Sequence, residues 1–105
     1  MLDIYPVCIQ LCRDCRPVIT ELKAKNRDLA SQLERAVASI ALNVAEGCGQ
    51  RAGHRRERFA TALGSAREVR AVIDVGEALG TSGRLDAAAM DRLGRIEGTL
   101  VKLTR

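Results

Sequence analysis

The side chains of this chain that could do chemistry fall into four groups. Cys8, Cys12 and Cys15 have the spacing of an iron–sulfur triad in radical enzymes that use S-adenosylmethionine. His54, the one histidine, could move protons with Glu46 or Glu57. Asn43, Glu46, Ser65 and Glu68 could form a polar site between two helices. Arg51, Arg55, Arg56 and Arg58 crowd into eight positions with His54 and a single glutamate, Glu57.

Each group has a plainer reading. A radical-type cluster needs a large barrel and cysteines on a flexible loop. Here the chain is 105 residues long, and Cys8 and Cys15 occupy the apolar seam of a helix. Buried cysteine packs as a small hydrophobe, so these are expected to be core residues, with no metal. Recruiting Cys48 as a fourth ligand would require helix 1 to meet the 47–49 turn. His54 is read as a surface member of the basic patch. Helical ribonucleases of the HEPN group need an arginine four to six residues before their histidine, and none stands there before His54. The polar quartet is read as a hydrogen-bonded network that fixes helix register, because buried polar groups must be paired. No histidine follows the glutamates at the spacing of di-iron bundles, so no cofactor is expected.

The arginine cluster carries the functional weight. Cations at a helix N-terminus oppose the macrodipole, so four of them there do not serve helix stability. With free first-turn amides and the glycines 47, 49 and 53, they would form a phosphate-binding surface for RNA or DNA. Against this, Arg51 would compensate Glu46 and the end of helix 2, and Glu57 would neutralise part of the rest. Two aromatic residues, Tyr5 and Phe59, leave little for base stacking, so readout of sequence is not expected.

These groups are held by a chain with the composition of a helical domain. Apolar residues make up 47% and charged residues 29%, which is enough apolar material for one core and argues against disorder. The net charge of +4 is concentrated at residues 51–58. No run of 18 apolar residues suggests a membrane span, and Met1-Leu2-Asp3 does not open a signal peptide, so a cytoplasmic location with reduced thiols is expected.

Hydrophobic periodicity predicts four helices. Helix 1 covers about 4–25, with seam Ile4, Cys8, Leu11, Cys15, Val18 and Leu22 and a kink at Pro17. Helix 2 covers about 29–46, capped by Asp28 and stopped by Gly47 in a left-handed conformation. Its inward positions are Leu29, Leu33, Ala36, Val37, Ile40 and Val44. Helix 3 covers about 54–79 and ends at Gly80. Its main stripe is Phe59, Ala62, Leu63, Ala66, Val69, Ile73 and Gly76. A second stripe, Ala60, Gly64, Ala71, Val75 and Ala78, implies that another subunit covers it. Helix 4 covers about 85–103, along Leu85, Ala89, Leu93, Ile96, Leu100 and Leu103. Short connections make this an all-α, antiparallel up-down four-helix bundle in a single domain, 1–105.

The run from Asp28 to Ala36, the motif Ser39-Ile40-x-Leu42-Asn43-x-Ala45-Glu46-Gly47, and Arg58-Phe59-x-x-Ala62-x-Gly64-Ser65-x-x-Glu68-Val69 resemble a known family. It is the group of small four-helix-bundle proteins encoded in intervening sequences of 23S ribosomal RNA genes. The resemblance implies a homo-oligomeric ring, usually a pentamer. It extends to the accessory proteins of diversity-generating retroelements, basic pentameric barrels that work with a reverse transcriptase and its RNA. It carries over no catalytic residue. The implied reading is a non-enzymatic RNA- or DNA-binding accessory factor whose partner is a ribosomal component or a reverse transcriptase. The alternative is an interaction oligomer without nucleic acid.

Overall fold

The structure, a computed structural model, describes residues 2–49 and 52–105. It contains α1 (Ile4–Lys25), α2 (Arg27–Cys48), α3 (Ala52–Ala78) and α4 (Ala87–Leu103), with no strand among the described residues. Each helix packs on the next, and α4 returns against α1. Cys12 meets Val37 and Lys23 meets Glu34, so α1 and α2 run in opposite directions. Ser39 meets Ser65 while Glu46 meets Arg58, which gives α2 and α3 the same relation.

The apolar stripes set this packing. Every seam position predicted for α1 is buried, and so is the whole main stripe of α3. The second α3 stripe, Ala60, Gly64, Ala71, Val75 and Ala78, faces outward. One contiguous core joins all four helices, with Phe59 its largest fully buried side chain. Two bidentate ion pairs tie α4 down. Arg92 grips Asp14 of α1 at 2.6 and 2.9 Å, and Arg70 of α3 grips Glu97 at 2.6–3.2 Å.

Pro17 lies inside α1, on its exposed side, where water can take the carbonyl that the proline leaves without a donor. Several local expectations change. The cap of α2 is Asn26, not Asp28. The Asn26 side chain accepts from the Leu29 amide at 3.1 Å, so a single residue separates α1 from α2. Asp86 caps α4 in the same way, accepting from Ala89 at 2.8 Å, and Leu85 lies before the helix, buried. Gly80 does end α3, at φ 71°. Its amide donates to the Glu77 carbonyl and that of Thr81 to Gly76, both at 2.9 Å, which is the paired closure of a left-handed glycine cap.

Gly47 does not stop α2. The helix continues through Cys48, and Gly80 is the one glycine with positive φ among the described residues. Gly47 is needed for a different reason. A Cβ there would stand 2.5 Å from Cε1 of the Phe59 ring, so only a glycine lets α3 lie this close to the end of α2.

Candidate nucleic-acid interface

The close approach of Phe59 to Gly47 brings the first turns of α3 beside the last turn of α2. The α2 carbonyls near Cys48 have no further helical donors, and cations are favourable there. Arg55 meets that need with a long contact from Nε to the Gly47 carbonyl, 3.4 Å. Arg58 pairs with Glu46 at 3.3 Å and reaches Asn43 Oδ1 at 3.5 Å. These two residues take the compensating role expected of Arg51, which lies outside the described residues. Arg56 donates to the main-chain oxygen of Arg105 at 3.1 Å. His54, Arg55, Arg56, Glu57 and Arg58 are all exposed, and Glu57, expected to neutralise part of the cluster, makes no ion pair among the described residues.

The arrangement is an exposed basic rim. Arg55 and Arg56 meet main-chain oxygens and no Asp or Glu side chain among the described residues, and both are exposed, where phosphate oxygens can exchange with water as partners.

A polar seam runs from this rim between α2 and α3. Asn43 Nδ2 donates to the Ser39 carbonyl at 2.9 Å and to Ser39 Oγ at 3.0 Å. Ser39 Oγ and Ser65 Oγ share a hydrogen bond of 2.7 Å. The seam thus brings together Asn43, Glu46 and Ser65 of the predicted network, with Arg58 at one end. It does not include Glu68, which is exposed and makes no side-chain hydrogen bond or ion pair among the described residues. Glu68 instead lines an open cleft of about 330 Å³ with Arg35, Ala36, Ser39 and Ser65. Ser39 opens the motif that carries the resemblance, but the sequence assigns neither it nor Arg35 to the polar network. The signal available for Ser39 was its four-residue offset from Asn43, one helical turn on the face that meets α3.

The cysteines divide. Cys8 and Cys15 are fully buried, and burial, with Cys12 nearby, pushes both thiols up to about 12. Burial also raises the Cys12 thiol, which donates to the Val37 carbonyl at 3.6 Å. No group of three His, Cys, Asp or Glu side chains converges on a metal-sized point among the described residues. Cys48 lines a separate cleft of about 200 Å³ with Leu2, Arg55, Phe59 and Leu103. Among the described residues, no helix is long and apolar enough to cross a membrane.

The sequence profile of the family described as 23S rRNA-intervening sequence protein matches residues 1–95, a span that includes the basic rim and the polar seam. Comparison with curated proteins and with solved structures gave no match.

Proposed function

The chain belongs to the 23S rRNA-intervening sequence protein family, and from that premise we propose that it is a non-enzymatic, homo-oligomeric protein that binds structured RNA or DNA through phosphate-backbone contacts. The observation that carries this reading is the state of Arg55 and Arg56. Arg70, Arg84 and Arg92 each meet an Asp or Glu side chain, whereas these two meet main-chain oxygens, and no acidic side chain pairs with them among the described residues. His54 and the half-exposed Arg58 extend the same rim. The protein acts as an accessory factor in a larger ribonucleoprotein, serving a ribosomal component or, as retroelement accessory proteins do, a reverse transcriptase.

The outward stripe of α3 supports the oligomer, which we take to be a pentameric ring. In a ring the rims repeat around the axis, and several weak phosphate contacts act together. Light scattering on the unmodified chain should give a multiple of the 11.4 kDa subunit mass. Val75→Glu or Ala71→Glu should dissociate it without loss of helix.

Fluorescence anisotropy with hairpin RNA and duplex DNA across a salt series tests the binding. Affinity should fall steeply with salt, by a log–log slope of roughly −0.9 for each phosphate neutralised on duplex DNA. Replacing Arg51, Arg55, Arg56 and Arg58 together by Ala should weaken all sequences alike and flatten the slope. If that variant binds as tightly as the parent, the rim is a solvated face. The same exposed α3 stripe then favours the second reading, an interaction oligomer without nucleic acid.

A further inference from the structure

The contacts between α2 and α3 form a ladder of polar rungs. Glu46 and Arg58 close one rung at 3.3 Å, and Ser39 and Ser65 close the next at 2.7 Å. One turn further, four residues back on α2 and three forward on α3, stand Arg35 and Glu68. They carry opposite charges at the same level of an antiparallel pair, yet no ion pair joins them, and an open cleft of about 330 Å³ lies against both. Arg35 uses only its Nε, on the Ser31 carbonyl at 3.4 Å, and its terminal nitrogens have no protein acceptor among the described residues. The serine pair on the cleft wall holds two hydroxyl protons, and their mutual bond uses one. With Asn43 donating to Ser39 Oγ, Ser39 can donate to Ser65, and Ser65 keeps a proton to donate outward.

We propose that this cleft receives a single unpaired guanine of a nucleic-acid strand held on the basic rim. The inference rests on the proposed nucleic-acid binding and adds a base preference to it. Glu68 is an acceptor only and Arg35 a donor only. Guanine presents two adjacent donors, N1–H and N2–H, which a carboxylate accepts together, and two adjacent acceptors, O6 and N7, which a guanidinium fork serves together. Adenine, cytosine and uracil each lack the paired donors. Both walls are exposed, so a free small molecule would be too little enclosed to bind well. A base delivered by a strand already bound needs no such enclosure, because tethering raises its local concentration. Arg58 and Glu68 are ten residues apart on α3, about 15 Å at 1.5 Å per residue, within a few nucleotides of strand. Recognition by base edges also suits a protein whose two aromatic residues lie elsewhere than this cleft.

The test is anisotropy at one salt concentration with three labelled RNAs: a uridine oligomer, the same oligomer with isolated guanines, and one with inosines in their place. The guanine oligomer should bind about tenfold more tightly than the uridine oligomer. Inosine, which lacks the 2-amino group, should lose most of that gain. Glu68→Gln should abolish the guanine preference while binding uridine no more weakly, and Arg35→Gln should reduce the preference too. Replacing Arg55 and Arg56 by Ala should weaken all three RNAs by the same factor. Equal affinity of the parent for guanine and uridine oligomers would overturn the guanine site and leave backbone binding standing. A guanine preference that survives Glu68→Gln would place the selectivity elsewhere and also overturn it. Failure to bind any of the three would remove both readings.

Discussion

The two ends of the bundle use arginine in opposite ways. Where α3 gives way to α4, Arg84 reaches Asp74 and Glu77, both at 2.9 Å, and the neighbouring Gly83 amide donates to Glu21 at 3.0 Å. Asp74 and Glu77 are three residues apart, on one face of the last turns of α3, so one guanidinium serves both. Where α2 meets α3, Arg55 meets the Gly47 carbonyl at the end of α2, Arg56 meets the main-chain oxygen of Arg105, and Glu46 is taken by Arg58. A charge count by segment would separate these ends only by degree. The contacts separate them in kind: one arginine closes a loop, and the others are left facing water.

The comparison can be broken at the joint that creates the basic end. Phe59→Ala would empty the largest buried side chain and should cost about 3–5 kcal/mol in chemical denaturation, loosening the first turns of α3 against α2. Gly47→Ala would force a methyl group into the Phe59 ring and should cost about 1–3 kcal/mol. Had Gly47 been a left-handed cap, the damage would come from backbone strain, and shrinking the ring would not relieve it. Phe59→Leu combined with Gly47→Ala should therefore recover part of the loss.

The next effect sharpens the contrast between the ends. Arg55→Ala with Arg56→Ala should lower nucleic-acid affinity about tenfold near physiological salt, with no loss of helix by circular dichroism. Arg84→Ala, which removes one cation from the other end, should leave affinity unchanged and lower the thermal midpoint slightly. An equal loss of affinity per charge removed at the two ends would mean that net charge, not position, governs binding.

A smaller, pH-dependent effect belongs to the middle of the molecule. Burial pushes the Asp14 carboxyl up, but the hydrogen bonds from Arg92 and Gln10 and the Arg92 charge outweigh it and hold the carboxyl below the usual carboxylate range. Its stabilisation is present above the unfolded value of about 3.9 and is lost as pH falls through the lower folded value. Asp14→Asn should lower the thermal midpoint by a few degrees at pH 7. The gap from the parent should close below about pH 4.

Much of this was legible along the chain because helices write their packing into a periodic pattern. The seam of α1 and the main stripe of α3 could be read residue by residue, since a 3.6-residue repeat admits one buried face, whereas the α4 seam holds from Leu85 to Leu100 and fails at Leu103, which is exposed in the last turn. Gly80 could be read as well, because its turn needs a left-handed residue whatever surrounds it. Gly47 could not. Its requirement comes from a ring twelve residues away, and a glycine has the same one-letter signature whether it frees the backbone or makes room. The cap expected at Asp28 falls to Asn26 because a single residue turns α1 into α2, which no local pattern shows.

The sequence by itself determined four amphipathic helices, one core, the burial of Cys8 and Cys15, and the position of the arginine cluster at the start of α3. Those properties are local or periodic, and each is set by residues within a few turns. Only the tertiary structure decided which arginines are neutralised, that Glu68 leaves the polar seam and that Arg35 joins it at an open cleft. Those outcomes depend on the register of α3 against α2, and a polar side chain's partner across a helix pair is a matter of ångströms that no spacing along one strand of sequence encodes.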